Sequence, residues 1–562
     1  MRLLTGVCRY LTRLALLAIL IAVPVNAKVT FAQSATATLS GTVVDQNDDL
    51  VPNVSITITN IETGVQRQTT TSSSGSFVDQ HLQPGKYTVA ASLKGFAKLE
   101  FRNVILNLND RRPLRLQMKV GEIAELITVE GASLIQAESA VVGTVIDRQF
   151  VENLPLNGRS FSTLLELTPG AVLTKTPGQF SVNGQRTNAN YFTVDGVSAN
   201  VAIDPVIQIA QTAGGSLPAF SALGTTSNLV TIDALQELNI QGSTYSPEFG
   251  RLPGAQVAAV TRSGTNEFHG TVFEYFRNDV LDANDWFANS RGLKKPALRH
   301  NNFGGVLGGP IVRDRTFFFF SYEGLRLRQP QVGITAVPAR SARAMAPNQI
   351  QPFLNAFPMP NGGDLGNGLE EFHAGYSNPS RLDATSIRVD HSFGNRFTLY
   401  GRYNRAPSDA AQRGGTFDTP VSLNSSTRLL FQTDTVTIGA IQVLSSRATN
   451  DIRANYSRNS GSNVYSIDSF GGAVPLNDDA IFPPFASSQD SLFGFSLSDQ
   501  VVFFVGSNAR NYQRQINVVD NLALAKNNHQ FKFGFDFRHL APILDTSRYF
   551  QQASFRGVPG AL

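Results

Sequence analysis

Residues 530–540 read QFKFGFDFRHL, in which phenylalanine alternates with lysine, glycine, aspartate and arginine. Successive side chains on a strand point to opposite faces, so Phe531, Phe533, Phe535 and Phe537 share one face. An aromatic face suits lipid and a charged face suits a water-filled lumen, as in a strand of a transmembrane β-barrel. A soluble β-sandwich also alternates, so this segment alone leaves both architectures open.

Two β-hairpins extend the pattern. Residues 386–404, SIRVDHSFGNRFTLYGRYN, place Ile387 and Val389 on one face and Arg388 on the other, and a Gly-Asn turn divides the segment. The phenylalanine-rich strand is joined to the segment before it by residues 526–529, KNNH, which predicts a second hairpin.

The composition narrows the choice of architecture. The 562 residues include 39 Phe and 47 Gly, with only 16% charged residues, and this length is enough for several domains. Beyond the N-terminus no stretch is long and apolar enough for a spanning helix, so an integral membrane element would be a barrel. The formal net charge is +4, yet Arg2, Arg9, Arg13 and Lys28 lie in an N-terminal stretch without acidic residues. The rest of the chain is neutral, which gives no support for nucleic-acid binding.

Residues 1–32 are predicted to be a secretory signal peptide. A basic leader precedes the apolar run 14–23, and cleavage is expected after Ala27 or Ala32. Cys8 is the only cysteine and would leave with the signal. The exported protein would therefore have no disulfide and no thiolate site.

Residues 33–119 are predicted to form a small β-sandwich. Turn-forming residues such as Asn-Asp-Asp and Gln-Pro-Gly separate short alternating segments. The predicted strands are 37–44, 54–60, 66–71, 75–78, 85–93 and 114–119. The phrases GTVVD (41–45), PNVSITITN (52–60), SSSGSF (72–77) and LQPGKYTVAASLKGF (82–96) resemble the carboxypeptidase regulatory-like domain, which has a transthyretin-like, carbohydrate-binding-like fold. The resemblance implies an accessory module for glycan or protein contacts, without catalytic residues.

Residues 120–265 are predicted to form a mixed α/β domain. A short helix starts at residues 147–150 and must stop before Pro155, and another starts at 160–165 and ends before Pro169. The segments LPLNGRSFSTLLELTPG (154–170), VNGQRTNANYFTVDG (182–196), DALQELNIQGSTYSPEFGR (233–251) and TRSGTNEFHG (261–270) resemble the plug domain of Oar-like TonB-dependent receptors. NNFGGVLGGPIVRDRTFFFFSYEGLR (301–326) resembles the first barrel strands of that family.

The resemblance implies active transport across an outer membrane. In such receptors a plug fills the barrel, and an inner-membrane TonB complex pulls on a short extended segment, the TonB box, that adds as a strand to its partner. The candidate TonB box is Glu125, Leu126, Ile127, Thr128 and Val129, which lies between the accessory module and the plug. A linker strand that closes the sandwich would look the same, so both interpretations stay open.

Three charged residues of the plug motifs, Arg159, Arg186 and Asp195, are candidates for anchoring the plug to the barrel wall. Buried charge pairs are costly to break singly, which suits an anchor that releases under force. Glycines stand near all three, so they could equally be ordinary turn and surface residues. No direct ligand contact is assigned to them.

The sequence offers no catalytic constellation. Its seven histidines form no His-Glu-x-x-His or comparable pair, and no Gly-x-Ser-x-Gly elbow occurs. The glycine-rich run 304–309 is not followed by Lys-Ser or Lys-Thr, and we interpret it as close strand packing or a plug contact. We therefore expect no enzyme, no catalytic residues, no cofactor and no metal site.

Residues 266–562 are predicted to supply roughly ten to twelve strands of an outer-membrane barrel, separated by long loops. A plugged barrel of this family needs about 22 strands. The last residues, 556–562, read RGVPGAL and are loop-like. We therefore expect the N-terminal part of a longer receptor, with a truncated barrel. The predicted fold class is mainly β: an N-terminal β-sandwich, an α/β plug domain and an incomplete antiparallel transmembrane β-barrel.

Two functions fit this organisation. The first is a TonB-dependent outer-membrane receptor or transporter for an unidentified ligand, for which the accessory module suggests a carbohydrate or another large nutrient. The alternative is a non-transporting surface protein for adhesion, signalling or export. Both place the protein in the outer membrane of a Gram-negative-type envelope. The expected partners are the TonB complex, outer-membrane lipid and an extracellular ligand, without nucleic acid.

Overall fold

The fold consists mainly of β-strands. The computed structural model describes residues 36–121, 126–130, 142–153, 161–174, 179–203, 215–246, 248–416, 419–498, 501–526 and 529–562. Within these ranges no helix combines the length and the apolar character needed to cross a membrane. The predicted signal peptide lies outside the described residues.

An accessory module opens the described chain as two facing sheets. Its strands are β1 (Ala37–Val44), β2 (Ser55–Asn60), β3 (Gln66–Thr70), β4 (Ser76–Leu82), β5 (Gly85–Ser92), β6 (Lys98–Leu106), β7 (Arg111–Gln117) and β8 (Leu126–Glu130). The sheet orders are β4-β1-β7 and β3-β2-β5-β6-β8. Alternate residues of both sheets, such as Leu39, Ile56 and Leu116, are fully buried in one core between them. The predicted β-sandwich is confirmed, and β6 is a strand that was not predicted from the sequence.

A plug with its own apolar core follows the module. Its elements are β9 (Val142–Asp147), α1 (Arg148–Asn153), α2 (Phe161–Leu165), β10 (Ala171–Leu173), β11 (Phe180–Val182), β12 (Tyr191–Val194), β13 (Val197–Ser198), β14 (Leu235–Ser243) and β15 (Gln256–Thr261). Both helices form where the sequence predicts them, and the Asp147 carboxylate accepts a hydrogen bond from Phe150 N at 2.8 Å at the start of α1. The central sheet has the order β13-β12-β15-β14-β9, which leaves β9 at one edge.

The remaining strands build a large, curved wall. They are β16 (His269–Asn278), β17 (Arg299–Val312), β18 (Thr316–Pro338), β19 (Asp364–Gly366), β20 (Leu369–Phe393), β21 (Phe397–Arg413), β22 (Gly415–Thr416), β23 (Thr419–Pro420), β24 (Ser425–Ser445), β25 (Ala448–Ile467), β26 (Leu492–Ser498), β27 (Val501–Lys526), β28 (His529–Ile543) and β29 (Phe550–Ser554). Twelve of them, all except β22 and β23, form one sheet. Strands β16 and β28 are not paired with each other, so the described wall does not close into a barrel.

Short helices lie in the connections of the wall and the plug. The α-helices of the wall are α3 (Trp286–Ser290), α4 (Arg340–Met345), α5 (Gln351–Asn355) and α6 (Asp478–Ile481). Single 3₁₀ turns are Thr187–Ala189, Thr226–Asn228, Ile232–Ala234, Asp279–Leu281, Phe470–Gly472 and Val558–Gly560.

The two faces of the wall differ in polarity, as the alternation predicts. On β20, Ile387 and Val389 are 44% and 38% exposed on the outer face, whereas Arg388 and Asp390 are 5% and 6% exposed on the inner face. On β28, Phe533 is 58% exposed on the outer face. The outer face is therefore apolar and the inner face polar, which is the division expected of a barrel strand in lipid.

The hairpins of the wall distinguish its two ends. Phe393 pairs with Phe397 and Lys526 pairs with His529, so both predicted hairpins form with short connections at one end of the wall. The accessory module lies at this same end, where the Thr69 hydroxyl donates to Ser446 O at 3.2 Å. Because barrel strands are joined by short turns on the periplasmic side, this end corresponds to the periplasm.

The opposite end carries long connections and an aromatic core of its own. Strands such as β20 and β27 contain 25 and 26 residues, well beyond the roughly 9–11 residues that cross a bilayer. Phe357, Phe495 and Phe503 are at most 1% exposed in a cluster that joins the loops at this end. The strands therefore extend past the membrane into a compact extracellular layer.

Candidate functional site at the plug–barrel interface

The site begins with a tight turn of the plug. Asp195 and Gly196 connect β12 to β13, with φ angles of +50° and +75°. Positive φ at both central residues is the signature of the type I′ hairpin turn, which glycine and aspartate tolerate best. The Asp195 carboxylate, 4% exposed, accepts hydrogen bonds at 2.9 Å from both Thr261 N and the Thr261 hydroxyl. The turn thus places a fixed carboxylate at the surface of the plug.

Two arginines of the barrel wall face this carboxylate. Arg388 and Arg402 are opposite each other on β20 and β21. Arg388 Nη1 lies 3.4 Å and Arg402 Nη1 lies 3.7 Å from the Asp195 carboxylate. Arg388 is also held by Asp390, whose carboxylate accepts from Nε at 2.9 Å and from Nη2 at 2.8 Å. Two arginines and two carboxylates therefore balance each other.

The plug backbone and an aromatic ring complete this ion network. Arg388 Nη1 donates to Thr261 O at 3.1 Å, and Arg402 Nη2 donates to Leu229 O at 2.7 Å. The guanidinium of Arg388 lies 4.6 Å from the centre of the Tyr400 ring, a cation–π contact. Since all four charged side chains are nearly excluded from solvent, removal of one partner would leave an uncompensated buried charge.

Neutral hydrogen bonds join the rest of the plug to the wall. Asn517 accepts from Ser198 N at 2.8 Å, and Gln515 donates to Ser198 O at 2.7 Å. Asn459 accepts from Ile203 N at 3.0 Å. These side chains of the wall bind the plug's main chain, and each such bond contributes only about 1 kcal/mol net. The plug is therefore seated by many weak polar contacts around the stronger ion network.

The first strands of the wall add apolar contacts. Phe319 and Val306 belong to the plug's core cluster, and the Arg262 guanidinium lies 4.8 Å from the Phe319 ring centre. In the glycine-rich run, a Cβ on Gly304 would overlap the Tyr322 carbonyl oxygen of the neighbouring strand. This packing agrees with the interpretation of the run as a close-packing segment.

A second contact docks the accessory module on the plug. Leu108 N donates to both carboxylate oxygens of Glu237, at 2.8 and 3.0 Å, and Leu108 O accepts from Asn239 Nδ2 at 3.0 Å. The Leu108 side chain packs with Ala258 and Val260. Burial raises the pKa of Glu237 to about 8, although the hydrogen bond from Leu108 opposes this shift. The docked module thus favours the protonated carboxyl group.

The module also contacts the barrel wall. His81 Nδ1 and the Thr449 hydroxyl are 3.1 Å apart, and His81 is 2% exposed. Burial, followed by nearby positive charges, keeps the pKa of His81 well below its usual value. The imidazole of His81 is therefore neutral and buried between the module and the wall.

The predicted anchoring residues differ in their surroundings. Asp195 lies in the ion network, whereas Arg186 is exposed and makes no ion pair with any described residue. Arg159 lies outside the described residues. The partners Arg388 and Arg402 were not among the residues predicted from the sequence, although their lumen-facing positions in alternating strands were a usable signal. The anchoring role itself stays a prediction.

The candidate TonB box occupies a sheet edge. Leu126–Glu130 forms β8, which pairs in parallel with β6 from Lys98 to Arg102. Glu125 lies outside the described residues. Strand β8 ends the sheet order of the module, which is the geometry of the linker-strand alternative. An edge strand is also the form in which a peptide can pair with another sheet, so the TonB-box role stays a prediction.

Sequence families agree with this architecture. Residues 38–119 match the carboxypeptidase regulatory-like domain. Residues 260–348 and 341–560 match the family described as the outer membrane beta barrel domain, which covers more than half of the chain. The chain belongs to this outer membrane β-barrel family. The apolar outer face of the wall is therefore its lipid-facing surface, and the protein resides in the outer membrane.

One protein of known sequence that is similar to this chain is longer than the chain. The chain is 29% identical over 306 residues to the TonB-dependent transporter Oar of Myxococcus xanthus. The match covers 52% of this chain and 27% of the relative, so the chain spans about a quarter of that protein's length.

Two solved structures are partly similar to this chain. The outer membrane transporter YddB of Escherichia coli is 12% identical, with a TM-score of 0.47 over 72% of this chain and 48% of YddB. A mutant of the ferric enterobactin receptor PfeA of Pseudomonas aeruginosa is 11% identical, with a TM-score of 0.44 over 72% of this chain and 49% of PfeA.

Proposed function

We propose that this chain acts as a TonB-dependent outer-membrane receptor or transporter that takes up an unidentified ligand through a plugged barrel. The observation that carries the proposal is the ion network in which Asp195 of the plug meets Arg388 and Arg402 of the wall. A balanced network holds the plug in place at rest. Displacement of Asp195 leaves Arg402 as a buried charge without a carboxylate, which is costly, whereas Arg388 keeps Asp390.

The topology supports a route for mechanical force. The candidate TonB box lies before β9, and among the described strands of the plug sheet β9 is an edge strand that pairs only with β14. Once β8 has separated from β6, force applied through the chain would reach the pairs of β9 and β14 before the rest of the plug sheet and would break them one after another. Strand β14 carries Glu237, which binds the accessory module. Removal of β9 would therefore loosen both the plug sheet and the module's docking site.

The proposed domain organisation is a signal peptide at 1–32, the accessory module at 33–119, the plug at 120–265 and the barrel from 266 onward. The proposed partners are the TonB complex and an extracellular ligand. The accessory module favours a carbohydrate or another large nutrient as that ligand, because its family resemblance is to a carbohydrate-binding-like fold.

Uptake in cells that carry the full-length protein tests this proposal. Ile127→Pro removes a backbone N–H from β8 and blocks strand addition, whereas Ile127→Ala keeps the N–H as a matched control. The probes are radiolabelled maltooligosaccharides and radiolabelled ferric enterobactin, measured with and without a protonophore. We expect energy-dependent accumulation of one probe that Ile127→Pro abolishes and Ile127→Ala retains.

The same assay separates the alternatives. Surface binding that neither the protonophore nor Ile127→Pro changes would contradict transport and favour adhesion. The melting temperature of the accessory module is measured for both variants. A large loss in Ile127→Pro together with intact uptake would assign β8 to the sandwich as a linker strand rather than to TonB.

A further inference from the structure

Two arginines face each other on the outer surface of the wall. Arg458 on β25 is directly opposite Arg514 on β27, and both side chains are exposed. We refer to them as the arginine pair. The Arg458 guanidinium lies 4.7 Å from the centre of the Tyr512 ring, but neither guanidinium forms an ion pair or a hydrogen bond with any residue that the structure describes. Like charges directly opposite each other on two strands repel, so the pair needs a counter-charge from outside the wall.

The carboxylate beside the arginine pair is already bound by other residues. Asp434 on β24 is opposite Arg458 on the other side of β25. Its carboxylate lies 3.6 Å from Arg405 Nη1, and it accepts hydrogen bonds from Gln432 Nε2 at 2.6 Å and from the Tyr403 hydroxyl at 3.2 Å. One carboxylate therefore lies beside three arginines. The arginine pair keeps a positive charge that no carboxylate of the described residues compensates.

The arginine pair lies at the level where the wall leaves the membrane. Strand β25 starts at Ala448 at the periplasmic end, and a strand crosses a bilayer within roughly 9–11 residues, so the crossing ends close to Arg458. On the periplasmic side of the pair, Tyr456 and Ile516 are opposite each other and are 45% and 48% exposed on the same face. Tyrosine is typical of the boundary between hydrocarbon and headgroups. The outer face therefore changes from apolar to charged at the extracellular boundary of the hydrocarbon.

The lipid that surrounds the wall at this level supplies the counter-charge. An arginine at the edge of the hydrocarbon directs its guanidinium toward the headgroups. The planar fork of N–H donors matches the oxygens of a phosphate, and such charge-assisted bonds are stronger than bonds to neutral acceptors. We propose that the arginine pair binds the phosphate group of a lipid in the outer leaflet, whose acyl chains pack on Tyr456 and Ile516. The proposal goes beyond transport, because it concerns the lipid-facing surface of the wall and does not depend on the plug.

Native mass spectrometry of the full-length protein released from detergent micelles tests the site. The protein is titrated with dioleoyl phosphatidic acid, which carries a phosphate monoester, and with dioleoyl phosphatidylcholine, whose headgroup has no net charge. The double variant Arg458→Gln with Arg514→Gln removes the arginine pair. The matched control, Arg396→Gln with Arg447→Gln, removes two exposed arginines from periplasmic turns of the wall. We expect preferential binding of phosphatidic acid that the double variant weakens by roughly tenfold or more and the control leaves within about twofold.

A second measurement needs no variant. Phosphatidic acid with a photoreactive diazirine near the carboxyl end of one acyl chain is mixed into phosphatidylcholine vesicles that contain the protein, and the cross-linked residues are mapped by mass spectrometry. Cross-links should concentrate at Tyr456, Ser460 and Tyr512, which surround the arginine pair.

Four outcomes would overturn the proposal. They are equal binding of phosphatidic acid by the double variant, no preference of the wild-type protein for phosphatidic acid over phosphatidylcholine, and cross-links at these residues no more frequent than on the rest of the outer face. The fourth is displacement of phosphatidic acid by millimolar inorganic phosphate, which would assign the site to the free ion instead of a lipid.

Discussion

Replacement of Glu237 by glutamine is expected to remove a pH-dependent weakness in the docking of the accessory module on the plug. Burial raises the pKa of this carboxyl group from 4.5 to about 8 while Leu108 N donates to it. Because the docked state favours the protonated acid, docking is strongest below pH 4.5. It weakens as the pH rises through the interval between the two pKa values, since the undocked state then releases its proton first.

The size of the effect follows from the two pKa values. One pKa unit corresponds to about 1.36 kcal/mol, so the change between pH 5 and pH 8 amounts to about 3.5 kcal/mol, or roughly 400-fold in the docking equilibrium. Glutamine keeps the shape of the side chain and an oxygen that can accept from Leu108 N, but it cannot ionise. The variant should therefore dock with the same strength at both pH values.

Hydrogen exchange of the Leu108 amide measures this docking directly. Its protection factor, corrected for the intrinsic pH dependence of exchange, should fall by roughly 400-fold from pH 5 to pH 8 in the wild-type protein. It should stay constant in Glu237→Gln. Glu62→Gln serves as the control, because Glu62 is exposed on the same module. A wild-type protection factor that does not change with pH would refute the reasoning.

Three further outcomes are expected. Asp195→Asn should destabilise plug seating by about 3–5 kcal/mol, because it leaves buried arginines undercompensated; an unchanged urea midpoint for plug release would contradict the anchoring role. Phe533→Arg should lower the stability of the membrane-inserted form by about 1–2 kcal/mol, because it places a charge on the lipid-facing surface between the periplasmic turn and the bilayer midplane, measured by folding into lipid vesicles; unimpaired folding would place this face outside lipid. Gly304→Ala should cost about 1–3 kcal/mol through overpacking, whereas Gly401→Ala, which has open space around its Cβ, should change the melting temperature little.

Local sequence patterns were sufficient to predict a strand where its bounds depend on residues that are neighbours in the chain. Strand β1 has the predicted bounds, Ala37–Val44, because buried and half-buried side chains alternate from Ala37 to Val43. Strand β6 was missed because a bulge breaks its alternation. Asn103 has a φ angle of +58°, and the pairing of β5 with β6 shifts register between Tyr87 and Val89. A bulge moves following side chains to the opposite face, so a period-two pattern fails there.

For the charged residues of the candidate site, too, local sequence was not sufficient to predict their contacts. Arg159, Arg186 and Asp195 are similar in sequence, since each stands near a glycine in a polar motif. Of the two that the structure describes, Asp195 is placed by a type I′ turn against the arginines of the wall, whereas Arg186 is exposed. The sequence pattern indicates on which face of its strand a side chain lies. It does not indicate which residues from a distant part of the chain that side chain contacts.

By itself, the sequence determined the outward aromatic face, the inward charged face, the hairpins and the order of sandwich, plug and barrel wall. These features depend on the two-residue period of strands and on turn residues that are close together in the chain. Only the tertiary structure decided that Arg388 pairs with Asp195, 193 residues away, and that Glu237 receives Leu108 N, 129 residues away. Such contacts arise where separately folded surfaces meet, and the desolvation of their charges depends on burial that no local pattern encodes.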